Sequence, residues 1–194
     1  MKTTIFTTPI LTDFFRALTR FFFRLFGWRV DGRIPDAPKF VIVGAPHTSN
    51  WDFIVFLGLA LTLRGDFRFI GKAELFRSPL GGFFRWCGGY PVDRAKSQGL
   101  VDQMAEAFRA NERFMLVITP EGTRSKVNEW KTGFYHIAKK AGVPILTGYV
   151  DSAAKTCGIG PAFNVTDDME ADIRSIKAFY ADKTGIRPAR TSEL

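Results

Sequence analysis

Lys39-Phe40-Val41-Ile42-Val43-Gly44-Ala45 runs into Pro46-His47-Thr48-Ser49-Asn50-Trp51-Asp52, and an apolar stretch from Phe53 to Leu63 follows. The first seven residues are mostly apolar and partly β-branched, which reads as a buried strand. Pro46 ends it. Residues 51–63 read as a helix, and Arg64-Gly65-Asp66 turns the chain. Strand, polar loop and helix in succession are the repeating unit of a layered α/β protein.

The same alternation continues outward. Residues 67–71, 114–118 and 144–150 read as strands. Residues 95–110 and 130–141 read as helices, the second stopped by Gly142. Thr166 is placed to cap a last helix whose first turn carries Asp167, Asp168 and Glu170, with Met169, Ile173, Ile176 and Tyr180 inward. Residues 31–38 form a turn-rich connector. The glycines between residues 78 and 90 leave a loop with one short aromatic helix. The polar tail from Asp182 onward is expected to be loose. The fold class is therefore α/β, a mixed, largely parallel sheet flanked by helices.

A chain of 194 residues suits one domain with a small accessory element. Its 46% apolar and 24% charged residues are ordinary for a globular protein. The 20 Phe and the net charge of +8 are not. That pairing points to nucleic acid or to an anionic membrane surface. Cys87 and Cys157 belong to no C-x-x-C pair, so they read as small apolar core residues in a reducing cytosol. No run reaches the roughly 18 uncharged apolar residues that span a bilayer, and charges interrupt the N-terminal apolar residues that a signal peptide would need.

Residues 9–27 read as an amphipathic helix capped by Thr8, with Pro9 in its first turn. Leu11, Phe14, Phe15, Leu18, Phe21, Phe22, Leu25 and Phe26 share one face; Arg16, Arg20 and Arg24 line the opposite one; Phe23 fits neither. Residues 1–35 hold six Lys or Arg against two Asp, half of the whole excess of positive charge. Such a helix can lie in a membrane interface, its Phe face beside acyl chains and its Arg beside phosphates; a core-packing helix is the alternative. The organisation expected is a membrane-interacting helix in residues 1–35 and a catalytic domain in residues 36–194. The location expected is peripheral or monotopic, on the cytoplasmic face of a membrane. No helix-turn-helix, zinc or aromatic RNA-binding motif supports nucleic acid as a partner.

Within one helix, His47 and Asp52 would be about 500° apart and would diverge. They meet only if His47 lies in the loop and Asp52 in the first helical turn, behind an N-cap at Ser49 or Asn50. Asp52 can then hold one ring nitrogen and leave the other basic. No G-x-S-x-G elbow supplies a stored nucleophile, so direct attack by an acceptor hydroxyl is the chemistry favoured. Two further stretches lie at strand ends. Pro120-Glu121-Gly122-Thr123-Arg124-Ser125 offers an anion site, with Arg124 as a bidentate phosphate ligand, Gly122 allowing close backbone approach and Glu121 fixing the loop or a ligand hydroxyl. Gly71-Lys72-Ala73-Glu74-Leu75-Phe76 offers Lys72 as a second phosphate contact, and Asp93 with Arg94 reads as a bracing pair. His136 falls on a polar helix face with Thr132 and Lys140 and reads as solvated.

Together these stretches resemble the four ordered blocks of the glycerolipid acyltransferases typified by lysophosphatidic acid acyltransferase. His47 to Asp52 resembles the H-x-x-x-x-D block, though Pro46 stands where that family often has Asn. Residues 71–75 through 91–94 resemble the second block, residues 120–125 the E-G-T-R block, and Val143-Pro144-Ile145 the fourth. The resemblance implies His47 as general base with Asp52 as its partner. It implies Lys72, Glu121, Gly122, Thr123 and Arg124 at the substrate, with no metal and no cofactor. The implied partners are membrane lipids and an acyl thioester co-substrate, acyl-CoA or acyl carrier protein. The implied acceptor is lysophosphatidic acid or another lipid; a non-catalytic membrane-binding module is the alternative.

Overall fold

A computed structural model describes residues 3–93 and 99–192 of the chain. Seven strands form one sheet in the order β1-β7-β6-β2-β5-β3-β4. They are β1 (Arg29–Asp31), β2 (Lys39–Ala45), β3 (Phe67–Lys72), β4 (Gly89–Val92), β5 (Phe114–Ile118), β6 (Ile145–Asp151) and β7 (Thr156–Phe163). Neighbours are parallel except β6 and β7, which are antiparallel. The mixed, largely parallel α/β class holds. β2 and β5 lie at the centre, and side chains on both faces of β2 are fully buried, so its unbroken apolar run is the pattern a doubly covered strand requires.

Two apolar layers cover the sheet. On one face α4 (Leu100–Ala110), α5 (Gly133–Ala141) and α6 (Met169–Ala178) pack Met104, Phe108, Phe134, Ile137 and Ile176 over Val41, Val43 and Leu116. On the other, α1 (Leu11–Leu25) and α2 (Trp51–Leu63), with Ile5 and Phe6, cover Phe40, Ile42 and Leu146. A short helix, α3 (Gly81–Trp86), leads into β4. Tyr180, just past α6, is buried; its hydroxyl donates to the Val43 carbonyl at 2.6 Å, tying the chain after α6 to β2.

Several boundaries differ from the sequence reading. α1 begins at Leu11, and Thr8 does not cap it; the Thr8 hydroxyl donates to the Thr4 carbonyl instead. α6 is capped by Asp168, whose carboxylate accepts from the Ala171 amide at 3.0 Å, while Thr166 is bonded to Asp172. α5 starts at Gly133 and α4 at Leu100; the residues expected to begin α4, 95–98, lie outside the described residues, as does Arg94. β4 begins in the stretch read as loop, and no strand was read at β1 or β7. β1 and β4 are short edge strands, while β7, interrupted by Gly and Pro, lies between β1 and β6.

The tail is the largest correction. Residues 184–192 are not loose but fold back as a strap over the carboxyl end of the sheet. Ser152 donates from its amide to Thr184 and from its hydroxyl to Gly185. The Gly185 amide donates to the Thr191 hydroxyl, the Arg187 amide to Thr48 Oγ1 at 3.0 Å, and the Val127 amide to Ser192 Oγ. A polar sequence without periodicity hides such a segment, because its order comes from backbone hydrogen bonds rather than from an apolar face.

α1 has three faces. Phe15, Thr19 and Phe23 turn inward, and Gly58 of α2 gives them room: a Cβ there would lie 2.7 Å from the Phe23 ring and 2.8 Å from Thr19. Phe23, the residue that fitted no face, is therefore an anchor. Arg20 and Arg24 are exposed on a second side. The third side carries Leu11, Phe14, Leu18, Phe21, Phe22 and Leu25, all exposed, with Phe21 at 60%. Asp13 reaches Arg64 at 3.4 Å, so α1 runs antiparallel to α2 and its C-terminal end lies at the carboxyl end of the sheet. Among the described residues no helix is long and apolar enough to cross a membrane. Cys87 and Cys157 are buried and unbridged, and burial pushes their thiols up to about 11 and about 12.

Gly58→Val is expected to lift α1 off the body while leaving the sheet intact. Limited trypsinolysis at Arg16, Arg20 and Arg24 should accelerate at least about tenfold, as local opening becomes cheaper than global unfolding; unchanged cleavage would contradict this packing.

Candidate active site

The site forms where β2 and β5 end side by side, with Val43 opposite Ile118. After β2 the Ala45–Pro46 peptide is cis and the chain loops through His47, Thr48 and Ser49 before α2 begins. Asp52 lies in the first turn of α2, as the spacing required. Its Oδ2 accepts from the Thr48 amide at 2.7 Å and the Ser49 amide at 2.8 Å, and stands 3.0 Å from His47 Nδ1. Asn50 is the N-cap and its side chain makes no cap hydrogen bond; the Ser49 hydroxyl accepts from the Trp51 amide at 3.2 Å. Asp52 is 6% exposed and His47 keeps 24% of its side chain accessible. With Nδ1 donating to the carboxylate, Nε2 carries the lone pair, and this is the tautomer a general base needs.

Beyond β5 the chain reverses through Thr119-Pro120-Glu121-Gly122. Gly122 adopts φ +66°, in the region that favours glycine. A Cβ there would also crowd Lys131 at 3.0 Å. Glu121 is buried, and its Oε2 accepts from the His47 amide at 2.9 Å. Of the two roles considered for Glu121, the geometry supports fixing the loop: its carboxylate joins the β5 loop to the β2 loop. Burial pushes its pKa up to about 7, against the opposing pull of the His47 amide and the His47 charge, with Asp52 adding to the rise.

A cleft of about 390 Å³ opens beside His47. Thr119, Gly122, Thr123, Arg124 and Ser125 line it together with His47 and with Arg190 of the strap. Arg190 escaped the sequence reading; a lone Arg in a polar tail carries no signal of its own. Lys72, expected at the substrate, is exposed at the end of β3 and does not line this cleft. Residues around it contribute to a separate hollow of about 330 Å³ with Arg77, Arg85 and Asp93. His136 is exposed on α5, as expected of a solvated histidine.

The chain thus combines an α/β sheet with a His-Asp pair at one strand end and a Gly-Thr-Arg loop at the next. It belongs to the Acyltransferase family, whose model matches residues 28–151. It is 27% identical over 192 residues to the 1-acyl-sn-glycerol-3-phosphate acyltransferase of Haemophilus influenzae, covering 87% of this chain and 78% of that protein. The corresponding protein of Escherichia coli is 29% identical over 150 residues, covering 72% of this chain and 60% of that one. The crystal structure of the 1-acyl-sn-glycerophosphate (LPA) acyltransferase PlsC from Thermotoga maritima has the same fold, with a TM-score of 0.61 and 21% identity over 90% of this chain and 82% of that one.

The raised Glu121 pKa has a sign. The folded state holds the proton up to about pH 7, whereas an unfolded carboxyl loses it near 4.5. Stability contributed by this group is full below about 4.5 and falls as pH rises to about 7, by at most about 3 kcal/mol. Glu121→Gln keeps an acceptor for the His47 amide and has no proton to lose. Thermal melts of wild type and variant from pH 4.5 to 8 should therefore diverge, the variant gaining relative stability as pH rises; parallel curves would contradict the assignment.

Proposed function

We propose that the protein transfers a fatty acyl group from an acyl thioester to the hydroxyl of a lysophosphatidic-acid-like acceptor. The observation that carries this is the Asp52 carboxylate bonded to His47 Nδ1, with His47 and Arg124 lining one cleft. In this reading His47 Nε2 removes the acceptor hydroxyl proton as the oxygen attacks the thioester carbonyl. The tetrahedral adduct then collapses, the C–S bond breaks, and the imidazolium returns the proton to the leaving thiolate. Asp52 holds the tautomer and stabilises the imidazolium. Arg124 takes the acceptor phosphate in bidentate fashion, with Gly122 and Thr123 allowing close approach. Glu121 is a positioning residue. Lys72 retains a place only as a contact to a more distant part of a substrate. The names of the sequence relatives support the acceptor class.

Purified protein given acyl-CoA or acyl carrier protein thioester and lysophosphatidic acid should form the diacyl product. His47→Ala should lose at least about a thousandfold in kcat, and Asp52→Asn roughly as much. Product formation that ignores both substitutions would sink the assignment and leave the membrane-binding module as the better reading.

We further propose that residues 1–35 serve as the membrane-facing element and residues 36–194 as the catalytic domain, a functional division, since β1 belongs to the sheet. The exposed Phe of α1 cluster toward the site end of the molecule, where Trp51 (66% exposed) and Ile54 (53%) flank Asp52 on α2. Moving a Phe fully out of water gains roughly 1.5–3 kcal/mol, and these rings are already partly shielded, so each contributes about half. Replacing both Phe21 and Phe22 by Asp should weaken binding to anionic phospholipid vesicles by at least about tenfold in flotation. Equal binding by the double variant would remove α1 from the interface.

A further inference from the structure

We infer that Arg190 is a specificity-determining residue that pairs with Arg124 to clamp the phosphate monoester of the acceptor, and that the strap of residues 184–192 exists in this chain to deliver it. The inference rests on the reading above of a phosphate-bearing acceptor.

Three observations carry it. First, Arg190 lines the same cleft as His47 and Arg124, although it comes from a different segment of the chain, the strap. Second, both guanidinium groups are uncommitted: among the described residues neither makes an ion pair or side-chain hydrogen bond, although the protein ties up Arg68 and Arg64 with Asp66 and Asp13. Third, the strap is built against the catalytic loop. The Arg187 amide donates to Thr48 Oγ1, Thr48 itself being fully buried one residue from His47. Gly185 sits so close that a Cβ would lie 2.4 Å from Thr48 Cγ2. The Ser192 hydroxyl holds the Val127 amide, just beyond the Gly-Thr-Arg loop. Arg190 is therefore carried between two anchors, one in the His47 loop and one just past the Gly-Thr-Arg loop.

The chemistry fits a phosphate monoester. Such a group carries about −1.5 to −2 charge at pH 7 and three acceptor oxygens. One guanidinium satisfies two oxygens at most in its bidentate mode. A second guanidinium lining the same cleft matches the remaining charge and oxygen and fixes the hydroxyl end of the acceptor near His47. A phosphodiester, with one charge and two free oxygens, has no need of it.

The test compares wild type, Arg190→Ala, Arg190→Lys and Arg174→Ala, the last removing an exposed Arg on α6 as a charge control. Initial rates are measured with lysophosphatidic acid varied at saturating donor, then with acyl-CoA varied at saturating acceptor. The expectation for Arg190→Ala is a KM for lysophosphatidic acid raised at least about tenfold with the donor KM within about twofold. Arg190→Lys should recover part of the loss, and Arg174→Ala should match wild type. An unchanged acceptor KM overturns the inference. So does a rise in the donor KM instead, which would place a phosphate of acyl-CoA at Arg190, and so does an equal effect of Arg174→Ala, which would reduce it to net charge. Calorimetric titration with glycerol 3-phosphate separates this inference from the function it rests on. If wild type acylates no lysophosphatidic acid, the functional reading fails, while the phosphate site stands if Arg190→Ala abolishes binding of that anion and falls if it does not.

Discussion

A single carboxylate oxygen organises the carboxyl end of the central strand β2. Asp52 Oδ2 takes hydrogen bonds from the Thr48 and Ser49 amides and from His47 Nδ1. The two amides belong to the loop that precedes α2. One oxygen in the first turn of the helix therefore bends that loop back and aims the imidazole. Because Asp52 is almost fully buried, little water competes for that oxygen, and the loop has one well-determined geometry. Glu121 extends the arrangement to the next strand end by holding the His47 amide from the β5 loop. Two carboxylates with different partners thus have different tasks: one faces the imidazole, the other only the backbone beside it.

This explains which parts of the molecule could be read from residues alone. β2 and α2 run from Lys39 to Ala45 and from Trp51 to Leu63, as their composition indicates, because each is mostly apolar and bounded by a strong breaker. The His47–Asp52 contact was legible because helix geometry permits it in only one way. β1, β4 and β7 were not: three residues carry too little pattern, and Gly89-Tyr90-Pro91-Val92 and the Gly-Pro interruption in β7 imitate loops. On α1 the apolar stripe was visible, but which face met the body was not. Three residues and a glycine on a partner helix decide it.

Arg190 marks the boundary of such reading. Nothing local distinguishes it from the other basic residues near it. Its significance comes from Thr48, 139 positions earlier in the chain than the amide of Arg187 that it receives. Lys72 is the converse case: a motif neighbour suggested a place in the site, and the strand order puts β3 on the far side of β5 from β2, at a distance from His47 that sequence order conceals.

The reversal of β7 has a mechanical consequence. Because β6 is parallel to β2 and β7 runs back, the turn between them lies at the carboxyl end of β2, beside the cleft. Lys155 in that turn donates to the Phe26 carbonyl at the end of α1, and Ser152 holds Thr184 and Gly185. One four-residue hinge-pin thus fastens both the apolar helix and the strap that carries Arg190. A force applied to either would be felt by the other through this pin, without passing through His47 or Asp52.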